Sequence, residues 1–172
     1  MEKGLIHIYT GDGKGKTTAA VGLCYRAALR GYKVGFTSFM KDFSSGECLS
    51  QKTFTIFKFA PFEGFLPQMF PSQIDEAKKR ANTHLEEIFN IALTERYDLI
   101  ALDEVLVAAK CGIVDKELLI GLLKDKPDFL EVVMTGRDCP EELFECGDYI
   151  SNIKAVRHPY EKGISARKGI EY

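Results

Sequence analysis

The chain has 172 residues, of which 45% are hydrophobic and 28% charged, and its formal net charge is −2. Such a composition fits one globular domain with a sizeable core, and the near-neutral charge gives no electrostatic case for nucleic acid or a membrane surface as the main partner, a local basic face aside. No apolar run approaches the roughly 18–20 residues of a membrane span.

Met-Glu-Lys-Gly (1–4) leads into a strand with no charged-then-apolar leader, so a cytoplasmic protein is expected. Five cysteines, Cys24, Cys48, Cys111, Cys139 and Cys146, are odd in number, scattered, and contain no Cys-x-x-Cys pair. They read as reduced thiols, mostly buried, and not as a zinc site or disulfide framework. His7, His84 and His158 are too dispersed for a metal site.

Leu5 to Tyr9 reads as a short apolar strand that runs into Gly11, Gly13 and Gly15, then Lys16, Thr17 and Thr18, then Ala19-Ala20-Val21. Strand, glycine loop, Gly-Lys-Thr and helix, in that order, is the context of a phosphate-binding P-loop. Glycines let backbone N–H groups turn inward around a phosphate chain, and the positive end of the helix faces the anion. Lys16 is expected to reach a phosphate oxygen, and the Thr17 hydroxyl to complete the shell of a Mg²⁺ ion. One position departs from the usual pattern: Thr10 stands where the first glycine belongs, with Gly displaced to position 11.

The helix is expected over Lys16 to Arg30, with Val21, Cys24, Ala28 and Leu29 on its apolar face and Gly31 as its stop. A strand from Val34 to Met40, a polar stretch from Lys41 to Lys52 and a strand-like Phe54 to Phe59 follow. Residues 60–71 contain three prolines and a glycine, which forbid a regular element, yet carry Phe62, Phe65, Leu66, Met69 and Phe70. Such a loop either tucks into the core or lines a site for a large, flat, partly apolar ligand. Ser72 then begins a long helix, with Asp75 completing a capping signature. Ile74, Ala77, Ala81, Leu85, Ile88 and Ala92 form its buried face, and Lys78, Lys79, Arg80, Glu86 and Glu87 its solvated one.

Leu99 to Glu104 is an apolar run that closes on two carboxylates, the way a central parallel strand delivers acid to a P-loop. Asp103 and Glu104 are adjacent and point in different directions along a strand, one to hold Mg²⁺ and one to anchor its surroundings. Val105 to Lys110 and Asp115 to Leu123 read as helices. Phe129 to Met134 reads as a strand followed by Thr135-Gly136-Arg137, which sets an arginine at the rim where α/β sheets bind ligands. A short helix over Pro140 to Cys146, a last strand from Tyr149 to Val156 and a polar loop or lid over 157–172 complete the chain. Strands alternating with helices imply a single α/β domain over 1–172 with a mainly parallel central sheet.

Thr-Gly-Asp-Gly-Lys-Gly-Lys-Thr-Thr (10–18), Leu-Asp-Glu (102–104), Thr-Gly-Arg (135–137) and the tail His-Pro-Tyr-Glu-Lys-Gly-Ile-Ser-Ala-Arg-Lys-Gly-Ile-Glu-Tyr (158–172) together resemble one family. It is the P-loop type ATP:corrinoid adenosyltransferases, and the match includes Met-Lys-Asp near residue 41 and Gly-Glu at 46–47. The resemblance implies a RecA-like P-loop NTPase fold, usually dimeric, in which the cobalt(I) of a corrinoid attacks the 5′ carbon of ATP and triphosphate leaves whole. It assigns Gly11, Asp12, Gly13, Lys14, Gly15, Lys16, Thr17, Thr18, Arg26 and Arg137 to ATP, and Lys16 with Arg137 to the charge on the leaving group. Thr17 and Glu104 become the Mg²⁺ ligands with Asp103 behind them, and Phe62 and Phe65, or Phe70 in their place, face the corrinoid. A homodimer is implied, with a flavin-type reductase as electron donor. The chain departs from its relatives in lacking tryptophan, in Arg167 where glutamine is common, and in Asp42 where glycine is common. From the residues alone two other readings stand: an ATPase or nucleotide kinase on the same loop, and a nucleotide-gated corrinoid carrier without turnover.

Overall fold

A computed structural model describes residues 3–41, 44–49, 52–59 and 70–171. Six strands, β1 (Ile6–Thr10), β2 (Val34–Ser38), β3 (Thr55–Ile56), β4 (Leu99–Asp103), β5 (Glu131–Thr135) and β6 (Tyr149–Asn152), form one sheet. Their order is β3-β2-β4-β5-β1-β6, and every neighbouring pair is parallel. The helices are α1 (Lys16–Ala28), α2 (Pro71–Thr94), α3 (Val105–Lys110), α4 (Lys116–Lys124) and α5 (Glu141–Phe144). The mainly parallel α/β sheet expected from the sequence is present.

Strands buried on both faces need apolar residues at successive positions, and β2 and β4 are buried at every one. Alternation then deals the side chains to two cores. Leu99, Ala101 and Val133 join Phe36 under α1, while Ile100, Leu102, Val132 and Met134 join Leu85, Ile88 and Leu106 on the other face. No helix among the described residues is long and apolar enough to cross a membrane.

The face of α1 differs from the expected one. Ala20, Cys24 and Ala27 are buried with Lys16, while Val21 and Ala28 are half-buried and Leu29 is 79% exposed. Small residues at spacings of three and four let the helix lie close on the sheet, which a leucine on that face would prevent. The helix ends at Ala28, two residues before the expected Arg30, and the chain turns away at Gly31, where Tyr32 N–H bonds Ala27 O and Gly31 N–H bonds Ala28 O. Only Cys24 and Cys48 among the cysteines are buried, Cys139 and Cys146 are half-buried, Cys111 is exposed, and all are free thiols.

Helix α2 starts one residue before Ser72, at Pro71. Its first turn is closed by Gln73, whose side-chain oxygen accepts the Phe70 N–H at 2.8 Å, and not by Ser72 with Asp75. Proline has no N–H to leave unpaired at this position, so the stop within 60–71 also serves as the start of the helix. β2 ends at Ser38, β3 has two residues, and β6 ends at Asn152, each shorter than its sequence pattern. β3 and β6 are the edge strands, where a partner lies on one side only.

His84 on α2 shows how tightly this side is packed. Its ring is stacked on Phe59 at 4.1 Å, and its Nε2 lies 2.9 Å from Thr37 Oγ1. The Thr37 hydroxyl donates its one proton to Phe57 O at 2.8 Å, so His84 donates its Nε2–H to Thr37, and burial keeps the ring neutral at pH 7. Burial pushes its pKa down to about 4. Because the unfolded chain takes up the proton first, stability is full above the ordinary pKa of 6.5 and is lost as pH falls towards about 4. Urea unfolding at pH 7 and pH 4 should show this loss as roughly 2–3 kcal/mol. His84→Gln should lack most of that pH dependence; an unchanged slope would refute the buried neutral ring.

Candidate active site

In an all-parallel sheet the carboxyl ends of all strands share one edge, so β1, β2, β4 and β5 bring the residues that follow them to one place. The residues concerned are Gly11–Thr18 after β1, Ser38–Lys41 at and after β2, Asp103 and Glu104 at β4, and Thr135–Arg137 at β5.

Thr10 is still a strand residue. It is 6% exposed, pairs with Asn152 of β6, and its carbonyl accepts Ile153 N–H at 2.8 Å. The loop therefore begins at Gly11, which explains the displaced glycine. Gly11 has φ +101°, and a Cβ there would lie 2.4 Å from Asn152 Oδ1 and 2.5 Å from Ile153 O. Gly13 N–H donates to Ile153 O at 2.7 Å, so the loop is clamped against the chain leaving β6. Gly15, at φ +120°, caps α1. Lys16 folds back over this loop and donates to Gly11 O at 2.6 Å and Gly13 O at 2.8 Å. Burial pushes its pKa down, as does the nearby Arg137, while Glu104, Asp12 and Asp103 oppose the shift.

Asp103 is fully buried and is the hub of the site. Its Oδ1 accepts Thr17 Oγ1–H and Thr135 Oγ1–H, each at 2.7 Å. Its Oδ2 accepts Lys41 Nζ at 2.8 Å and Ser38 Oγ at 3.4 Å. Thr135 Oγ1 also accepts Glu104 N–H at 3.0 Å, which holds Glu104 at φ 57°, in the left-handed region. That turn changes the expected geometry. Adjacent residues of a strand point apart, but the left-handed Glu104 brings its carboxylate back to the Asp103 side. Lys41 Nζ thus lies 2.8 Å from Asp103, 3.1 Å from Thr17 Oγ1 and 3.9 Å from Glu104 Oε1. Burial raises the Glu104 pKa, with Asp103 adding to the shift. Burial works against the charge of Lys41, but Asp103 outweighs it and the net shift is upward.

In the sequence Lys41 stands at the start of a polar stretch and within the Met-Lys-Asp of the family resemblance, with no role assigned to it. The signal that could have found it is its place just past the end of β2, at the ligand edge of a parallel sheet. Arg137 is exposed just past β5 and acts electrostatically on Lys16 and Glu104. Arg26 lies elsewhere: it is in the last turn of α1, about 15 Å along the axis from Lys16. Phe62 and Phe65 lie outside the described residues. Phe59, just before that segment, lines a groove of about 400 Å³ with His84, Lys79 and Arg80.

The tail approaches the loop. A cavity of about 340 Å³ opens beside Thr17 and Thr18, bounded by Tyr25, Glu47, Ile170 and Glu171. Arg167 Nη2 donates to Glu171 Oε1 at 3.0 Å, and the same oxygen is 3.9 Å from Lys14 Nζ. Among the described residues no group of three or more His, Cys, Asp or Glu side chains is placed to cage a metal.

The sheet order, the glycine loop at the end of β1 and the acidic end of β4 define an α/β protein of the P-loop NTPase type. Residues 2–172 match the family model of ATP:corrinoid adenosyltransferase BtuR/CobO/CobP. A corrinoid adenosyltransferase of Sinorhizobium sp is 33% identical over 176 residues, covering 99% of this chain and 81% of its own length. Corrinoid adenosyltransferases of Pseudomonas aeruginosa and of Escherichia coli (strain K12) are each 30% identical, covering 99% of this chain and 85% and 87% of their own. The chain belongs to the ATP:corrinoid adenosyltransferase family, and the resemblance read from its motifs holds over nearly its whole length.

Gly11→Ala should cost about 1–3 kcal/mol through the strained φ alone, with the clash on Asn152 and Ile153 added. Thermal unfolding together with the binding of a fluorescent ATP analogue checks this; wild-type values for both would contradict the clamped loop.

Proposed function

We propose that this chain transfers the 5′-deoxyadenosyl group of ATP to the cobalt of a reduced corrinoid and releases triphosphate. Membership of the family carries the reaction; the convergence of Thr17, Asp103 and Glu104 on one cation supports the assignment of residues. In this step a cobalt–carbon bond forms with the electron pair of cobalt(I), the C5′–O bond breaks, and the electron pair of that broken bond leaves on the triphosphate. No protein nucleophile is required. The protein has to fix the 5′ carbon in line with the cobalt and neutralise charge gathering on the leaving group.

Lys16 already donates to two loop carbonyls, and the triphosphate supplies better acceptors for the same ammonium. Arg137 at the rim adds a second positive charge. Backbone N–H groups of Gly11 to Thr18, Asp12 and Lys14 among them but without the Gly13 N–H held by Ile153 O, are the cradle, and the cavity beside Thr18 and Tyr25 suits the nucleoside end. Mg²⁺ fits the oxygen donors of Thr17, Asp103 and Glu104, which already surround one cation, and when bound it neutralises phosphate charge. Phe62 and Phe65 are assigned to the corrinoid, with the groove at Phe59 and His84 beside them. Arg26 is retained as a nucleotide contact only from the resemblance. A homodimer, a flavin-type reductase as the electron donor and a cytoplasmic setting complete the reading.

An anaerobic assay with cob(I)alamin, ATP and Mg²⁺ should show loss of the cobalt(I) absorbance with triphosphate intact. Lys16→Ala should lower the rate by about 10²-fold or more. ADP and orthophosphate without an adenosylated corrinoid would replace this reading with an ATPase or kinase.

A further inference from the structure

We propose that Lys41 is a built-in stand-in for the divalent cation, holding its place until the nucleotide arrives. The inference rests on the assignment of Thr17, Asp103 and Glu104 to the metal. Lys41 Nζ contacts all three, at 3.1, 2.8 and 3.9 Å. An ion with metal–oxygen distances near 2.1 Å cannot share that point with an ammonium. Binding of the metal therefore requires Lys41 to leave.

Two features make the exchange physically sound. A carboxylate as buried as Asp103 is costly without a counter-charge, so the nucleotide-free protein needs a cation there. Lys41 is also able to move: its side chain is 34% exposed whereas that of Asp103 is 0% exposed. Thr17 Oγ1 accepts from Lys41 and donates to Asp103, so withdrawal of the ammonium frees the threonine lone pair that a metal takes.

Free Mg²⁺ has to displace Lys41 with nothing to receive it. Mg²⁺ arriving with ATP brings phosphate oxygens that accept the displaced ammonium. Metal and nucleotide are thereby coupled: each raises the affinity for the other. The device keeps an isolated metal ion out of the site and keeps Asp103 paired in both states.

The test is Mn²⁺ binding by electron paramagnetic resonance on the full chain, with no corrinoid present. Wild type should bind Mn²⁺ weakly alone and much more tightly with ATP. Lys41→Gln, which keeps a donor for Asp103 but no charge, and Lys41→Met should each bind Mn²⁺ alone roughly tenfold more tightly or better, and show a smaller gain from ATP. Circular dichroism identifies a variant that fails to fold, and Lys41→Gln carries the test if Lys41→Met does. Unchanged Mn²⁺ affinity in the folded variant overturns the role of Lys41 while leaving the metal site intact. Asp103→Asn is the separate control: undiminished Mn²⁺ binding with ATP would overturn the metal assignment itself, and this inference with it.

Discussion

A carboxylate shut away from water is tolerated only when its lone pairs are met by donors, and Asp103 meets that condition with four of them. Thr17 comes from the start of α1, Ser38 and Lys41 from the end of β2, and Thr135 from the end of β5. One buried group thus ties three segments, distant in sequence, to the end of β4. Removing the charge from the hub would leave the ammonium of Lys41 and three hydroxyls to find other partners. The glycine loop, the acidic strand end and the rim arginine keep their relative places because this carboxylate is satisfied.

The loop itself is shaped by what lies beneath it. β1 continues through Thr10 because β6 pairs with it there, and this leaves Gly11 to make the turn against Asn152 and Ile153. A glycine one place later than usual is therefore the trace of a longer strand. Lys16 closes the small ring by binding carbonyls of its own loop, a state in which its charge is held ready beside a neighbouring arginine that disfavours it. In the proposed reaction the leaving group gathers negative charge, and two cations held in mutual repulsion would be stabilised by that charge between them.

Much of the fold was legible because its signals are local. The glycine loop, the apolar strands and the long α2 face over Ala77, Ala81, Leu85, Ile88 and Ala92 follow from spacing alone. Element ends were less so. β6 stops four residues early because pairing with β1 ends, and the first turn of α2 is closed by Gln73 where Ser72 and Asp75 gave the more familiar pattern. The buried face of α1 was displaced because close packing on a sheet rewards alanine and cysteine over leucine.

Chemical identity was carried by the sequence: Gly-Lys-Thr after a strand, Asp-Glu at the end of another and arginine after a third are read from order and residue type. Geometry was not. Whether Asp103 and Glu104 act together depended on a left-handed residue fixed by a hydrogen bond to Thr135, and the role of Lys41 depended on β2 lying next to β4. Both are products of strand order. A linear pattern states which groups reach the edge of a sheet; only the pairing of the strands decides which of them share a cation.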